Sequence, residues 1–212
     1  MPGRRGQHLW QFSEEEQVQL VAAAKRDLEA AGADQVVAFR AGNYGADRAT
    51  LRALARNGIR FDTSHNATSP DSRIGLGAVA QGPAEVEGVI EVPVTVFEDW
   101  PGHRRHAQLT AASYAELAAM LDQADELGYA TFVIVSHGFE LLNVARTAPD
   151  PTVVRRFEAL CRFLADRGDR LVTTHFRAWE PAEAAPHVVP LRSHPLRTTA
   201  RVVEQGLRRR HG

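Results

Sequence analysis

The chain has 212 residues, enough for one domain with a substantial core. Its 25 Lys and Arg balance 26 Asp and Glu, so charge gives no case for a nucleic-acid or membrane-surface partner. One cysteine, Cys161, excludes an internal disulfide framework and a cysteine-based zinc site, and no apolar run approaches the roughly 20 residues of a membrane helix.

In chain order, Arg4 and Arg5 are followed by Gln, His, Trp and Glu, which is not a signal-peptide pattern, so a cytoplasmic location is expected. Residues 1–12 are Gly-, Arg- and Gln-rich and irregular. Ser13 and Glu16 form a capping box for a helix to about Gly32, with Val18, Val21 and Leu28 facing inward. Val36–Phe39 reads as a short buried parallel strand ending at Arg40, and Gly42-Asn43-Tyr44-Gly45 as a turn. Asp47 caps a helix with Leu51, Leu54 and Ala55 on one face, and Gly58 stops it. Ile59 and Phe61 then alternate with Arg60 and Asp62 in a second strand. The result is a β-α-β unit with Arg40 and Asp62 at carboxyl strand ends, where parallel α/β folds bind ligands.

Residues 64–85 are polar and too long for an idle connection, which suggests an active-site loop. Val89–Phe97 reads as one extended strand around Pro93, a residue suited to an edge or a bulge. A turn over 98–102 leads to His103-Arg104-Arg105-His106, read as a solvated, anion-facing loop rather than as metal ligands. Ser113 and Glu116 cap the next helix, which buries Leu117, Met120, Leu121 and Ala124 and ends at Gly128. Thr131–Val135 is the clearest buried strand, and it delivers His137. An amphipathic helix over 151–168 places Cys161 in the core, in line with Phe157, Leu160 and Leu164. A last strand over Leu171–Thr174, a Pro- and His-rich stretch from Trp179, and an Arg-rich helix from about Thr199 complete the chain. Strands separated by helices predict an α/β fold with a mostly parallel sheet.

The strand ending in Arg40, the Gly/Tyr turn, the helix and the strand ending in Asp62-Thr63 resemble the middle of the NodB-homology polysaccharide deacetylases, carbohydrate esterase family four. Ile134-Val135-Ser136-His137, with Glu140-Leu141-Leu142 after it, is similar to that family's strand carrying its catalytic acid. The resemblance implies an irregular (β/α) barrel of the NodB-homology type over residues 13–178, missing its first strands, with an irregular segment over 1–12 and a tail over 179–212.

It also implies site roles. His137 protonates the amine leaving group, Asp62 orients and tunes that histidine, and Arg40 pairs with the catalytic-base aspartate. Asn43 and Tyr44 lie in the substrate-binding turn whose amide helps stabilise the oxyanion. The family's common Arg-x-Pro-Tyr-Gly stands here as Arg40-Ala41-Gly42-Asn43-Tyr44-Gly45, without the proline and one residue longer.

The family's chemistry uses a divalent, zinc-like metal held by an Asp and two His, with a second Asp as base, all from segments before the Ser13 helix. No Asp precedes Asp27, and His8 is the one histidine there. The metal ligands and the base are therefore expected to be absent from this chain. The implied function is metal-dependent N-deacetylation of a polysaccharide or amino sugar, inactive as the chain stands. The alternative is a non-catalytic carbohydrate-binding or interaction domain derived from that fold. A barrel lacking its first strands exposes an apolar edge beside Val36–Phe39, which predicts self-association.

Overall fold

The computed structural model describes residues 6–77, 82–181 and 189–211. The chain forms two compact units, one of Met1–Val94 with His175–Val188 and one of Thr95–Thr174 with Val189–Gly212. Among the described residues there are five α-helices and two mixed sheets, and neither sheet closes on itself.

In the first unit, α1 (Glu14–Ala30) begins at Ser13, whose side chain accepts from the Glu16 amide while Glu16 reaches back to the Ser13 amide. α2 (Arg48–Arg56) is capped by Asp47 in the same reciprocal way with Thr50. The strands are β1 (Ala38–Phe39), β2 (Phe61–Asp62), β3 (Ala84–Val86) and β4 (Val89–Glu91), in the order β1-β2-β4-β3. β1, β2 and β4 run parallel, with Phe39 opposite Asp62 and Asp62 opposite Glu91, and β3 returns antiparallel on β4. Val21, Leu51, Leu54, Ile59, Ile74 and Val89 form the core between helices and sheet. The 175–181 segment also belongs here: Phe176 and Trp179 place their rings 5.2 and 5.5 Å from Phe61, and Arg60 holds Glu180 through both terminal guanidinium nitrogens.

In the second unit, β5 (Val96–Trp100) pairs antiparallel with β6 (His103–His106) and parallel with β7 (Leu191–Arg192). α3 (Tyr114–Glu126), α4 (Pro151–Ala165) and α5 (Pro195–His211) complete it. Phe97, Leu109, Leu117, Met120, Val153, Leu160, Phe163 and Leu191 fill its core. Arg201 is buried between the carboxylates of Asp99 and Glu116, tying α5 to β5 and α3. A charge so deep is tolerable because it is paired and hydrogen-bonded on both sides.

Several expectations need correction. The Val89–Phe97 strand is two strands in different sheets. Val92 and Val94 on either side of Pro93 donate to Asp62 and His65, while the Thr95 amide donates to Val133. Pro93 has no N–H to give, and the chain changes partners there. Thr131–Val135 is not a regular strand. The Val133 amide donates to the Thr95 hydroxyl rather than to a carbonyl, and ladder-like pairing is limited to the bridge of Val135 with Gln108. Leu171–Thr174 is not a strand either, and Val172 is 79% exposed. His103–His106 is a strand rather than a loop, joined to β5 by a tight turn in which Gly102 takes φ 75°. β3 and β7 were not foreseen, and α5 starts at Pro195, ahead of Thr199.

Two helix faces also differ. Cys161 is exposed, and Phe157 is 43% exposed. α4 instead buries Val153, Arg156, Leu160 and Phe163, because the Arg156 guanidinium donates to the carbonyls of Leu109 and Ala112. Leu28, near the end of α1, is 52% exposed. His187 and the rest of 182–188 lie outside the described residues.

Candidate functional site

Arg40, Asn43, Tyr44 and Asp62 come together in the first unit, at the carboxyl ends of the adjacent parallel strands β1 and β2. The Thr63 amide donates to Phe39, and the Ala41 amide donates to the Ser64 hydroxyl at 2.9 Å, so the turn after β1 is held against the segment after β2. Asn43 and Tyr44 both take left-handed backbone, φ 52° and 60°. That is natural for asparagine and costs tyrosine on the order of 1 kcal/mol. The Tyr44 amide is bound to the Ala41 carbonyl. Among the described residues the amides of Gly42 and Asn43 have no hydrogen-bond partner, and neither does the exposed Arg40 guanidinium. His8 packs so closely on Gly45 that a Cβ there would lie 2.3 Å from its Nδ1.

Asp62 is fully buried beside an equally buried carboxyl that sequence reading passed over, Glu91. Asp62 accepts from the Ser64 hydroxyl at 2.8 Å and from the Ser64 amide at 3.1 Å. Glu91 Oε1 accepts from the His65 amide at 2.9 Å. Glu91 Oε2 has no partner of ordinary hydrogen-bond geometry, and its interacting neighbour is Asp62. Burial, and then the hydrogen bond and charge of Asp62, push the Glu91 carboxyl up to about 10. Burial also raises Asp62, while its hydrogen bonds from Glu91 and Ser64 act to lower it. Burial thus raises both carboxyls, and the two acceptors side by side favour retention of a proton by the pair. His65 is kept neutral by burial, with Nε2 3.2 Å from the Gly77 carbonyl.

His137 lies in the second unit, just before a single turn of 3-10 helix over Gly138–Leu141. Its Nδ1 is 2.8 Å from Oε1 of Glu140, and its side chain is 46% exposed against 7% for the carboxylate. Gln108 also donates to Oε1, and the Thr110 hydroxyl donates to Oε2 at 3.2 Å. Gln108 and Thr110 are thus donors to Glu140, and the role of the His137 nitrogen depends on its tautomer. Phe139 stacks on the imidazole with centroids 5.0 Å apart. Among the described residues nothing engages His137 Nε2.

The carboxylate bonded to His137 is therefore Glu140, while the hydrogen bonds of Asp62 go to Ser64 and Glu91 in its own unit. Glu140 was legible in principle, since an acid three residues after a histidine meets it across one helical turn. Among the described residues no three His, Cys, Asp or Glu side chains group as a metal site. The divalent metal implied by the resemblance has no matching ligand set there. No protein-family model, curated protein or solved structure matches the chain.

Proposed function

We propose that the chain is a polysaccharide-deacetylase-like domain acting on an N-acylated amino sugar, with His137 as the proton donor to the departing amine. The observation that carries this reading is the anchored, half-exposed imidazole: Nδ1 is held by a buried carboxylate, and Nε2 has no partner among the described residues. Breaking an amide C–N bond requires a proton on the nitrogen, and an imidazole titrates close enough to neutrality to deliver one. Within the first unit, considered by itself, Arg40 and the Gly42 and Asn43 amides supply donors suited to a carboxylate and to carbonyl or hydroxyl oxygens. On this reading the β1-β2-β4 sheet is part of an irregular (β/α) barrel and the protein is cytoplasmic. β1 has a strand neighbour on one side among the described residues, so pairing between copies along that edge belongs to the same reading.

A titration with an N-acetylglucosamine oligomer, followed on the histidine ring resonances, tests it. His137 should shift with the acetylated oligomer and much less with the de-N-acetylated one. An unmoved His137 at millimolar oligomer overturns the reading. Wherever acetate release is measurable, His137→Ala should lower kcat on the order of 10²–10⁴-fold. Binding without any acetate release would favour the non-catalytic carbohydrate-binding alternative.

A further inference from the structure

We infer that Glu140 is the positioning residue of His137, and that through Gln108 it sets opposite proton assignments on two histidines, His137 and His106. As an account of catalysis this rests on the reading of His137 as proton donor; as an account of the two rings it rests on geometry alone.

Glu140 is 8% exposed and receives hydrogen bonds at both oxygens. A carboxylate can only accept, so the His137 nitrogen facing it, Nδ1, must carry the hydrogen. The neutral ring then has its lone pair on Nε2, the outward nitrogen. In the imidazolium, the proton available for transfer sits at that same Nε2. The stacking of Phe139 limits rotation of the ring about this bond.

The same constraint passes to Gln108. Its Nε2 donates to Glu140, because the reverse orientation would set an amide oxygen against a carboxylate oxygen. Gln108 Oε1 therefore faces His106 Nε2, 2.7 Å away, and that nitrogen must be the N–H. One buried charge thus dictates Nδ1–H on His137 and Nε2–H on His106. Two-residue spacing along the chain puts His106 and Gln108 on one side of it, and the bridge between Gln108 and Val135 brings the His137 turn alongside. The arrangement is a hydrogen-bonded chain from a strand histidine, through an amide and a carboxylate, to the exposed acid.

Nitrogen-15 spectra of the histidine rings in the intact chain, without sugar and above the pH at which the rings titrate, test the inference. Wild type should show His137 predominantly as Nδ1–H and His106 predominantly as Nε2–H. Glu140→Gln should keep the His137 assignment, since its Oε1 still accepts and the Thr110 hydroxyl can turn to accept from the new amide. Glu140→Ala should release His137 to a mixture dominated by Nε2–H. Gln108→Leu should leave His137 as it was, a check that survives if Glu140→Ala fails to fold. Nε2–H on wild-type His137, or an unchanged ring in folded Glu140→Ala, overturns the inference. Because no sugar is present, correct ring assignments with a silent sugar titration would remove the deacetylase reading and leave the positioning role standing.

Discussion

Two carboxyl sites at the ends of extended segments carry opposite lessons. In the first unit Asp62 and Glu91 are both fully buried and face each other, so one of them keeps its proton and their hydrogen bonds stay inside the protein. In the second unit Glu140 is nearly as buried but is surrounded by donors, so it remains an acceptor and holds a half-exposed imidazole. Burial alone is therefore a poor guide to function. What decides it is whether the neighbours of a carboxyl are other acceptors, which trap a proton, or donors, which turn the charge outward to a group that solvent can reach.

The largest break in this comparison is Asp62→Ala. It leaves the Ser64 hydroxyl and the Ser64 amide without their acceptor in a site closed to water. Each buried donor left without its acceptor costs about 1–3 kcal/mol, and more than one is stranded at once. Glu140→Ala strips three donors, but His137 is half-exposed and Gln108 and Thr110 are only partly buried, so roughly 1–2 kcal/mol is expected. Urea unfolding of both variants measures the contrast, and equal losses would erase the distinction between the sites.

A smaller effect comes from pH. Glu91 stands near 10 in the fold against an ordinary 4.5, so the folded chain holds a proton that the unfolded chain releases. The stability tied to this group is fully present below pH 4.5 and is lost as pH rises toward 10, at up to about 1.4 kcal/mol per pH unit. Glu91→Gln supplies a neutral N–H donor to Asp62 and still accepts from the His65 amide. It should match wild type near pH 4.5 and be the more stable of the two at pH 7–8, with a shallower fall above. Urea melts across that range check it. A variant that tracks wild type at every pH would place the proton elsewhere.

Much of this frame was legible because its signals are local. The capping boxes at Ser13 and Ser113, the Asp47 cap and the stops at Gly58 and Gly128 lie within a few residues of the ends they set, and the structure has all of them. Strand membership depends on partners far along the chain. The apolar 131–135 run therefore misled, because its Val133 amide goes to the hydroxyl of Thr95 and ladder-like pairing is confined to Val135. The buried face of α4 was misphased because Arg156 reads as polar, yet its bonds to backbone carbonyls carry it inside. Arg40 and Asp62 fell at strand ends as their positions suggested. The partner of Asp62 was hidden, since Glu91 in VIEVPV looks like an ordinary strand acid until the register with Asp62 is known.

The finest probe compares one chemistry in both settings: a hydroxyl donating to a carboxylate. The Ser64 hydroxyl is fully buried, donates to Asp62 and accepts the Ala41 amide, so Ser64→Ala breaks two bonds at once and leaves an amide that water cannot reach. Thr110 makes one longer bond to Glu140 and is only partly buried. Thr110→Val is nearly isosteric, and Glu140 Oε2 has one donor fewer at the edge of solvent. The expected losses are about 2–3 kcal/mol for Ser64→Ala and about 0.5–1 kcal/mol for Thr110→Val. The His137 ring assignment should be unchanged in Thr110→Val, because Oε1 keeps both of its donors. A Thr110→Val loss as large as that of Ser64→Ala would mean that Glu140 is as closed to water as Asp62. The second carboxylate would then be structural like the first, and His137 would lose the distinction on which its role as an accessible acid rests.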